Sequence, residues 1–362
     1  MILNLPVNPV SFGQLGYNIL REFYKRDMDV GLFPIGQYDF SPFNPDKPFI
    51  DWVNNSINRR FAFLGTKKPA FKLWHLNGSE GLLNGNQVLL TFHETDTLTG
   101  PEINISKLQK KVFLTNDYAV GNFKRHGIEN VDFVPLGLDE SILKYNFNRK
   151  IDYIHWVIVG KFERRKHTAE IINAWCRKYG NNLKHKLSVC VYNPFMNEQT
   201  NSAILQNAFA IDGQIKMPAN VNILPRLPLN SQMAELYHSA DIDLGGMSGG
   251  EGLNLPSLTM TALGKWSIVL NAHAHKTWAN SENAILVPPV GKRPAADGVF
   301  FQSGDPETSF NQGNFFIYGE EDFVNAMEVA EKKAKIVNEA GKMLQNKFNY
   351  SNCVDKIIEV CR

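Results

Sequence analysis

Residues 248–256, SGGEGLNLP, combine consecutive glycines with one carboxylate, directly after the apolar run 240–244. Glycine lets the main chain approach a ligand closely, because it has no Cβ atom. The backbone that follows can open a helix, whose first N–H groups attract anions. The carboxylate of Glu251 can accept hydrogen bonds from sugar hydroxyls. Together these features predict a pocket for a molecule that is both phosphorylated and hydroxylated, such as a nucleotide-sugar.

A second segment, 159–166 (VGKFERRK), places cations in a short turn between a predicted strand and a predicted helix. At the carboxyl edge of a parallel sheet, Lys161, Arg165 and Lys166 would be well placed to bind a diphosphate. They would also stabilise the negative charge that develops as a nucleoside diphosphate leaves. Taken alone, the segment more often indicates a solvated basic turn. The glycine-rich segment downstream favours the phosphate interpretation.

The downstream segment resembles the Glu-Gly-(Phe/Leu)-Gly-Leu-Pro signature of retaining GT-B glycosyltransferases, the family 4-like or group 1 enzymes. Segment 159–166 is similar to the Gly-(Arg/Lys)…Arg-Lys-Gly loop of the same family. The resemblance implies that Lys161 and Lys166 contact the donor phosphates, with Arg165 as a helper. It also implies that Glu251 binds hydroxyls of the donor sugar. The neighbouring donor-binding positions would be Gly250, Gly252, Leu253, Asn254 and Leu255.

Three positions depart from the family pattern. Thr259 stands where a second glutamate would grip the ribose hydroxyls, and a threonine offers one hydrogen-bonding group instead of a charged clamp. Asn254 replaces a glycine and would narrow the sugar pocket. His167 replaces the last glycine of the cationic loop. We therefore expect Thr259 to remain a donor-binding position, with weaker ribose recognition.

Two segments of the first half are candidates for the same cleft. Segment 91–96 (TFHETD) closes a predicted strand, and polar groups at such a strand end face the ligand crevice. His93 is therefore a candidate catalytic residue, although an isolated histidine is more often structural. Segment 12–17 (FGQLGY) is interpreted as a loop after the first strand. The resemblance implies that Gly13 and Gly16 bind the donor there, although two glycines equally fit a flexible turn.

Short apolar runs alternate with helical patterns along most of the chain, which predicts an α/β fold with parallel sheets. The first series of predicted strands is 2–7, 30–35, 71–76, 88–93, 111–115 and 131–135. The second series is 154–159, 187–192, 221–224, 242–244, 267–270 and 285–287. Helices are predicted at 17–25, at 168–179 with Gly180 as C-cap, and after Ser231 as N-cap.

The break between the two series, near 138–150, predicts two Rossmann-like domains that face each other across a cleft. This is the GT-B arrangement that the resemblance implies. We expect an N-terminal acceptor domain over residues 1–145 and a C-terminal nucleotide-sugar donor domain over 146–345. The resemblance also implies that a last helix, within 346–362, packs back on the first domain.

The bulk composition bounds the class of protein. With 362 residues, of which 43% are hydrophobic and 20% charged, the chain fits two folded domains rather than a disordered protein. A net charge of +2 indicates no global field directed at nucleic acid or membrane. We find no signal-peptide pattern and no apolar run of about 18 residues that would span a membrane. We expect a cytoplasmic protein, with peripheral attachment to a membrane as the alternative.

Basic residues form clusters in the first half of the chain. They are Lys67, Lys68 and Lys72, then Lys107, Lys110 and Lys111, then Lys124 and Arg125. Such groups usually form solvated faces. The alternative is a docking surface for an anionic acceptor, either a lipid-linked glycan at a membrane or DNA.

The sequence as a whole predicts an enzyme that transfers a sugar from a UDP- or GDP-linked donor to a glycan, a lipid-linked glycan or a DNA base. The resemblance implies retention of anomeric configuration without a metal. We find no Asp-x-Asp pair placed to tie a metal to the diphosphate, and Lys161 and Lys166 would replace that metal. No cofactor besides the nucleotide-sugar co-substrate is expected. Two alternatives remain open: a catalytically degraded GT-B scaffold, supported by Thr259, and another GT-B reaction such as that of an epimerase or phosphorylase.

Overall fold

The structure is a computed structural model, which describes residues 1–211, 214–296, 300–301 and 312–361. A first parallel sheet is built from β1 (Ile2–Leu5), β2 (Gly31–Pro34), β3 (Ala70–Leu73), β4 (Gln87–Thr91), β5 (Lys111–Leu114) and β6 (Val131–Phe133). These strands lie in the order β2-β1-β3-β4-β5-β6 and are all parallel. They confirm the first predicted series, because strands covered on both faces read as short apolar runs.

Helices cover this sheet and connect its strands. They are α1 (Ser11–Lys25), α2 (Lys47–Asn58), α3 (Gly100–Leu108), α4 (Asp117–Arg125) and α5 (Glu140–Leu143). The first of them begins six residues before the predicted start. The interpretation of 12–17 as a loop is wrong, because Phe12, Leu15 and Ile19 continue the buried apolar face of α1 back to its first turn.

The second half of the chain contains another parallel sheet. Its strands are β7 (Ile154–Gly160), β8 (His185–Val191), β11 (Val221–Ile223), β12 (Ile242–Gly246), β13 (Trp266–Leu270) and β14 (Ile285–Val287). They confirm the second predicted series and lie in the order β11-β8-β7-β12-β13-β14. The strand order reverses between β7 and β12. Sheets of this kind bind ligands beyond the carboxyl ends of the strands at that point.

Smaller elements complete the second half. Two antiparallel pairs join β9 (Ala210–Ile211) to β10 (Gln214–Ile215), and β15 (Pro289–Pro294) to β16 (Asn314–Tyr318). The helices are α6 (Thr168–Tyr179), α7 (Glu198–Asn207), α8 (Asn230–Ser239), α9 (Leu255–Ala262), α10 (Glu320–Lys333), α11 (Glu339–Lys342), α12 (Leu344–Lys347) and α13 (Tyr350–Val360). Helix α6 has the predicted bounds, and Gly180 is its C-cap. Ser231 is not the N-cap of α8 but its second residue, since the helix begins at Asn230 after Leu229 as N-cap.

The last helix returns to the first sheet. The side chains of Cys353, Val354 and Ile357 on α13 are buried in the same apolar cluster as the core of residues 1–145. At the start of this return, the Leu138 N–H donates to the Phe348 carbonyl at 3.1 Å. The four cysteines of the chain are free thiols. In the described residues, every helix is too short or too polar to cross a membrane.

The two halves of the chain, below called the first domain (1–145) and the second domain (146–345), share buried apolar surface. Leu253, Leu258 and Trp278 of the second domain belong to the same buried cluster as Leu136 of the first domain. The loops that follow β7 and β12 lie on the side of the second sheet that faces the first domain, as the contacts below show. The fold therefore brings both predicted ligand-binding segments to one place.

Candidate active site

The cationic loop joins β7 to α6 through a 3-10 turn at Arg164–Lys166. The side chain of Lys161 is one-third exposed and lies 2.7 Å from Glu163 Oε1. His167 ends the turn with φ of 52°, in the left-handed region that favours glycine. Its Nδ1 lies 2.8 Å from the Met247 carbonyl oxygen, which holds the ring against the loop after β12. This geometry explains why a histidine can stand where the family pattern has glycine.

The central contact of the site joins the two predicted segments. Lys166 Nζ lies 2.5 Å from Glu251 Oε1, and both side chains are largely buried. Desolvation by burial tends to raise the pKa of Glu251, but the charges of Arg165 and Lys166 outweigh it and hold that pKa well below its usual value. Glu251 is therefore an ionised carboxylate beside a cation, at the carboxyl edge of the second sheet.

The Arg165 side chain is buried beside this pair and does not face solvent. Its side chain is 3% exposed, and its guanidinium contacts Glu94, Glu163 and Glu251 at 2.9, 2.7 and 2.9 Å. It also donates to the Gly250 carbonyl at 2.5 Å. Through these contacts Arg165 positions the carboxylates, and its predicted help in phosphate binding stays a prediction.

The glycines of the downstream segment let two domains approach each other. A Cβ atom on Gly250 would lie 2.1 Å from the Glu94 carbonyl oxygen, and one on Gly252 would lie 2.3 Å from the Phe92 ring. The side chain of Asn116, on the first domain, donates to the Gly252 carbonyl at 2.7 Å. We predicted from the sequence that these glycines allow close approach of a ligand. In the structure the groups that approach Gly250 and Gly252 are the Glu94 carbonyl and the Phe92 ring of the first domain.

Asn254 is the second position at which the family pattern has glycine. It is the N-cap of α9 with φ of 63°, again in the left-handed region, which asparagine tolerates better than most residues. Its side-chain amide donates to the Gly245 carbonyl at 2.9 Å and lies 3.0 Å from His275 Nε2. Leu253 is buried in the core, and its carbonyl accepts a hydrogen bond from Trp278 Nε1 at 3.0 Å, whereas Leu255 begins α9. Their predicted roles in donor binding stay predictions. Thr259 lies in α9 and is 7% exposed.

Comparisons with known proteins agree with this architecture. Sucrose-phosphate synthase from Thermosynechococcus elongatus superposes with a TM-score of 0.66 at 12% sequence identity, over 99% of this chain and 98% of that one. Anabaena HepE in complex with UDP gives a TM-score of 0.65 at 11% identity, over 99% and 98%. Trehalose-6-phosphate synthase from Burkholderia multivorans gives 0.65 at 11%, over 100% and 97%. No protein-family model and no curated protein sequence matches the chain.

The protein has the GT-B fold. The alignments span nearly the full length of both chains, and both six-stranded sheets are accounted for. In the GT-B fold two Rossmann-like domains face each other across a cleft. The Lys166–Glu251 pair of this GT-B protein lies where the second domain meets Phe92 and Glu94 of the first.

His93 lies at this domain boundary but is enclosed. It is 5% exposed, its ring packs edge-on against Phe123, and its Nε2 lies 3.4 Å from the Thr95 hydroxyl. Desolvation lowers its pKa to about 4, so the ring is neutral near neutral pH. The catalytic role of His93 stays a prediction.

Two histidines of the second domain lie near His93, and the sequence analysis did not predict them as site residues. His273 and His275 follow β13 in a 3-10 turn and are each 1% exposed. His273 Nε2 lies 3.1 Å from the Thr95 carbonyl oxygen. Desolvation lowers the pKa of each to about 4. The rule that singled out His93, a polar residue just after a strand, would also have found these two.

The nearest neighbours of Gly13 and Gly16 belong to the end of β1 and the segment that follows it, and not to the charged residues around Glu251. Both are in α1, where a Cβ atom on Gly13 would lie 2.2 Å from the Asn8 nitrogen and one on Gly16 would lie 1.8 Å from the Pro6 carbonyl oxygen. They allow the helix to pack on the segment that leaves β1. Their predicted role in donor binding stays a prediction.

The described residues contain no group of three or more histidine, cysteine, aspartate or glutamate side chains arranged to hold a metal ion. Asp241 and Asp243 form an Asp-x-Asp pair in the sequence, but each has another partner. Asp241 lies 2.6 Å from Lys335 Nζ, and the buried Asp243 accepts a hydrogen bond from the Gly245 N–H at 2.9 Å.

We expect the free energy of unfolding to fall as the pH is lowered from about 6.5 to 4. The pKa values of His93, His273 and His275 lie below the usual value, so the unfolded chain binds more protons over this range. Each histidine adds a slope of at most about 1.4 kcal/mol per pH unit. Urea unfolding at several pH values measures this slope.

A matched pair of variants tests whether the buried histidines cause this pH dependence of the free energy of unfolding. His93→Gln should reduce the slope. The matched control is His238→Gln, at a less buried histidine outside this group. Equal slopes in the parent and both variants would contradict the assignment.

Proposed function

We propose that this protein is a glycosyltransferase that moves a sugar from a nucleotide-sugar to an acceptor, with retention of anomeric configuration and without a metal. The observation that supports this most directly is the Lys166–Glu251 pair, with Lys161 beside it, at the strand-order reversal of the second sheet. There the second domain of a GT-B fold faces the first.

Lys161 and Lys166 would bind the donor diphosphate. Their ammonium groups now contact Glu163 and Glu251, and both side chains keep some exposure to solvent, 33% and 13%. A diphosphate can replace these contacts by stronger ones, because phosphate oxygens carry more charge than a shared carboxylate. The amino terminus of α6, which follows the loop, adds its own attraction for anions. The same cations would stabilise the diphosphate as it leaves.

Glu251 would bind hydroxyls of the donor sugar. When Lys166 moves toward the diphosphate, a carboxylate oxygen of Glu251 becomes available to accept hydrogen bonds. The buried Arg165 guanidinium contacts Glu251, which keeps this carboxylate ionised and in place. Loss of a proton from the sugar hydroxyls is not required, because the carboxylate only orients them.

Retention is proposed because of the resemblance to retaining GT-B enzymes. Glu94 and Glu163 both contact cations, which disfavours either of them as the general base of an inverting attack or as the nucleophile of a double displacement. In a front-face transfer the bond from the sugar to the leaving phosphate breaks as the acceptor oxygen approaches from the same side. The leaving phosphate takes the acceptor proton, so no protein base is needed.

The donor is proposed to be UDP- or GDP-linked. HepE has been solved with UDP and with UDP-glucose, and a starch synthase with ADP and acarbose. These proteins share only 10–12% identity with this chain, so their ligands suggest a class of donor. Thr259 offers a single hydroxyl to the ribose, from a position that is 7% exposed. The acceptor is a glycan, a lipid-linked glycan or a DNA base.

Calorimetry with UDP-, GDP- and ADP-linked sugars, first without metal and then with Mg²⁺, tests this proposal. We expect one donor class to bind with micromolar affinity without metal, and we expect Lys166→Ala and Glu251→Gln to abolish that binding. Arg164→Ala is the matched control, because Arg164 lies in the same turn with an exposed side chain. If no donor and no free nucleotide binds, the catalytic proposal fails and a scaffold role takes its place.

A further inference from the structure

The amino edge of the first sheet, opposite the cleft, carries a continuous basic surface. Residues 59–68 (RRFAFLGTKK) lead into β3, and residues 107–111 (KLQKK) lead into β5. We call these two segments together the basic edge. The segment before β4 joins them, since the Asn84 amide donates to the Lys68 carbonyl and the Lys110 N–H donates to the Gln87 carbonyl, both at 2.8 Å. Arg59 pairs with Asp29, and Phe63 packs on Gly31 at the start of β2. The basic edge therefore extends from β2 to β5, four strand spacings or roughly 19 Å.

The basic edge has a strong excess of positive charge. It contains seven cations, Arg59, Arg60, Lys67, Lys68, Lys107, Lys110 and Lys111, and no carboxylate. Within the described part of the chain, the only carboxylate in ion-pair contact with these cations is that of Asp29, which pairs with Arg59 at 2.5 Å. Asp27, Glu129 and Glu359 lie elsewhere along the same edge of the sheet, before β2, before β6 and at the end of α13. This charge is unusual for a protein whose overall net charge is +2.

Large apolar side chains project among these cations. Phe61 is 63% exposed, Leu108 is 54% exposed and Leu64 is 40% exposed. The Arg60 guanidinium lies 4.4 Å from the Phe61 ring centre. Single exposed apolar side chains are common on protein surfaces, whereas apolar side chains grouped together mark an interaction surface. Their presence beside cations is the pattern of surfaces that enter the boundary between lipid headgroups and acyl chains.

We propose that the basic edge docks on an anionic lipid bilayer. The cations contact the phosphodiester headgroups, and Phe61, Leu64 and Leu108 enter the outer part of the apolar layer. DNA is the less suitable partner, because its phosphate backbone gives these three side chains nothing to bury against. The proposal depends only on this surface and not on the proposed transferase activity.

Docking in this way fixes the orientation of the cleft. Strands of the first sheet are four or five residues long where they run from the basic edge toward Phe92 and Glu94, which places the cleft roughly 15 Å farther from the bilayer. The cleft then opens away from the lipid surface. An acceptor would reach it from the water or through the extended glycan of a lipid-linked molecule.

Co-sedimentation with vesicles tests the proposal. The full chain should bind vesicles of phosphatidylcholine mixed with phosphatidylglycerol and should not bind phosphatidylcholine alone. Lys67→Gln combined with Lys68→Gln should lower partitioning about fivefold for each removed charge. Lys184→Gln combined with Lys216→Gln is the matched control, since both lysines are exposed on the second domain, and it should bind as the parent does.

A second double variant distinguishes binding to lipid from binding to other polyanions. Phe61→Ser combined with Leu64→Ser keeps every charge, and it should weaken vesicle binding, most clearly at high salt where electrostatic attraction is screened. The Tm of each variant is measured to show that it remains folded. Absence of vesicle binding by the parent, or vesicle binding unaffected by the apolar variant, would overturn the proposal. Equal affinity of the parent for duplex DNA and for the anionic vesicles would also overturn it and indicate general polyanion binding.

Discussion

Replacing Lys166 by Ala is expected to lower the turnover of sugar transfer by a factor of about 100 or more. The ammonium group lies 2.5 Å from Glu251 Oε1, at the point where the departing diphosphate would develop charge. Without it, the negative charge of the leaving group loses a stabilising cation and Glu251 loses one of its counter-ions. Steady-state measurement of kcat and KM, with the donor identified by calorimetry, determines the loss.

The neighbouring Arg164 provides the control for this variant. Arg164→Ala removes a cation from the same turn, but its exposed side chain makes no ion pair with the carboxylates named above, so turnover should stay close to that of the parent. A fall in kcat accompanied by a raised KM for the donor would place the contribution of Lys166 both in donor binding and in the transition state. Near-parental turnover of Lys166→Ala, with the fold intact, would refute the role assigned to this residue.

Replacing Arg165 by Met is expected to destabilise the protein by about 3–5 kcal/mol, the usual cost of removing one partner from a buried ion pair. Arg165 is 3% exposed and contacts three carboxylates. Methionine fills much of the space but leaves those carboxylates without their shared counter-ion. Urea unfolding monitored by circular dichroism gives the change in free energy.

Comparison of Arg164 with Arg165 separates the effect of burial on the free energy of unfolding from the effect of removing a positive charge. Arg164→Met should change the free energy of unfolding by less than about 0.5 kcal/mol, as is usual for exposed positions. Adding Glu94→Gln to Arg165→Met should recover part of the loss, because one uncompensated carboxylate is then removed. Strictly additive effects of these two changes would mean that Arg165 and Glu94 do not stabilise each other across the domains.

The strands of both sheets could be predicted from local patterns. Each is a short apolar run, and burial on both faces of a parallel sheet is enough to produce that pattern without knowledge of distant residues. The same reasoning placed Lys161, Lys166 and Glu251 at strand ends. The order of strands in the second sheet then brings the ends of β7 and β12 together.

Local patterns were insufficient where a helix or a backbone conformation depended on neighbours. The glycines at 13 and 16 suggested a loop, but the helix extends through them because its apolar face is buried, and the missing Cβ atoms let it pack on Pro6 and Asn8. His167 and Asn254 looked like departures from a glycine pattern. In the structure both adopt the left-handed conformation and are held by side-chain contacts to distant carbonyl groups, which no local pattern contains.

Local sequence patterns were sufficient to predict the two parallel sheets, the chemical types at the site and the approximate positions of its charged residues, because hydrophobic periodicity and strand ends are local properties. Three contacts depend instead on how the domains pack: Arg165 is buried against Glu251, Glu94 reaches Arg165 from the other domain, and the glycines at 250 and 252 dock against the first domain. Those contacts join residues far apart in the chain. They arise because the two domains pack face to face. A guanidinium that this packing buries needs carboxylate partners, and those partners can come from either domain.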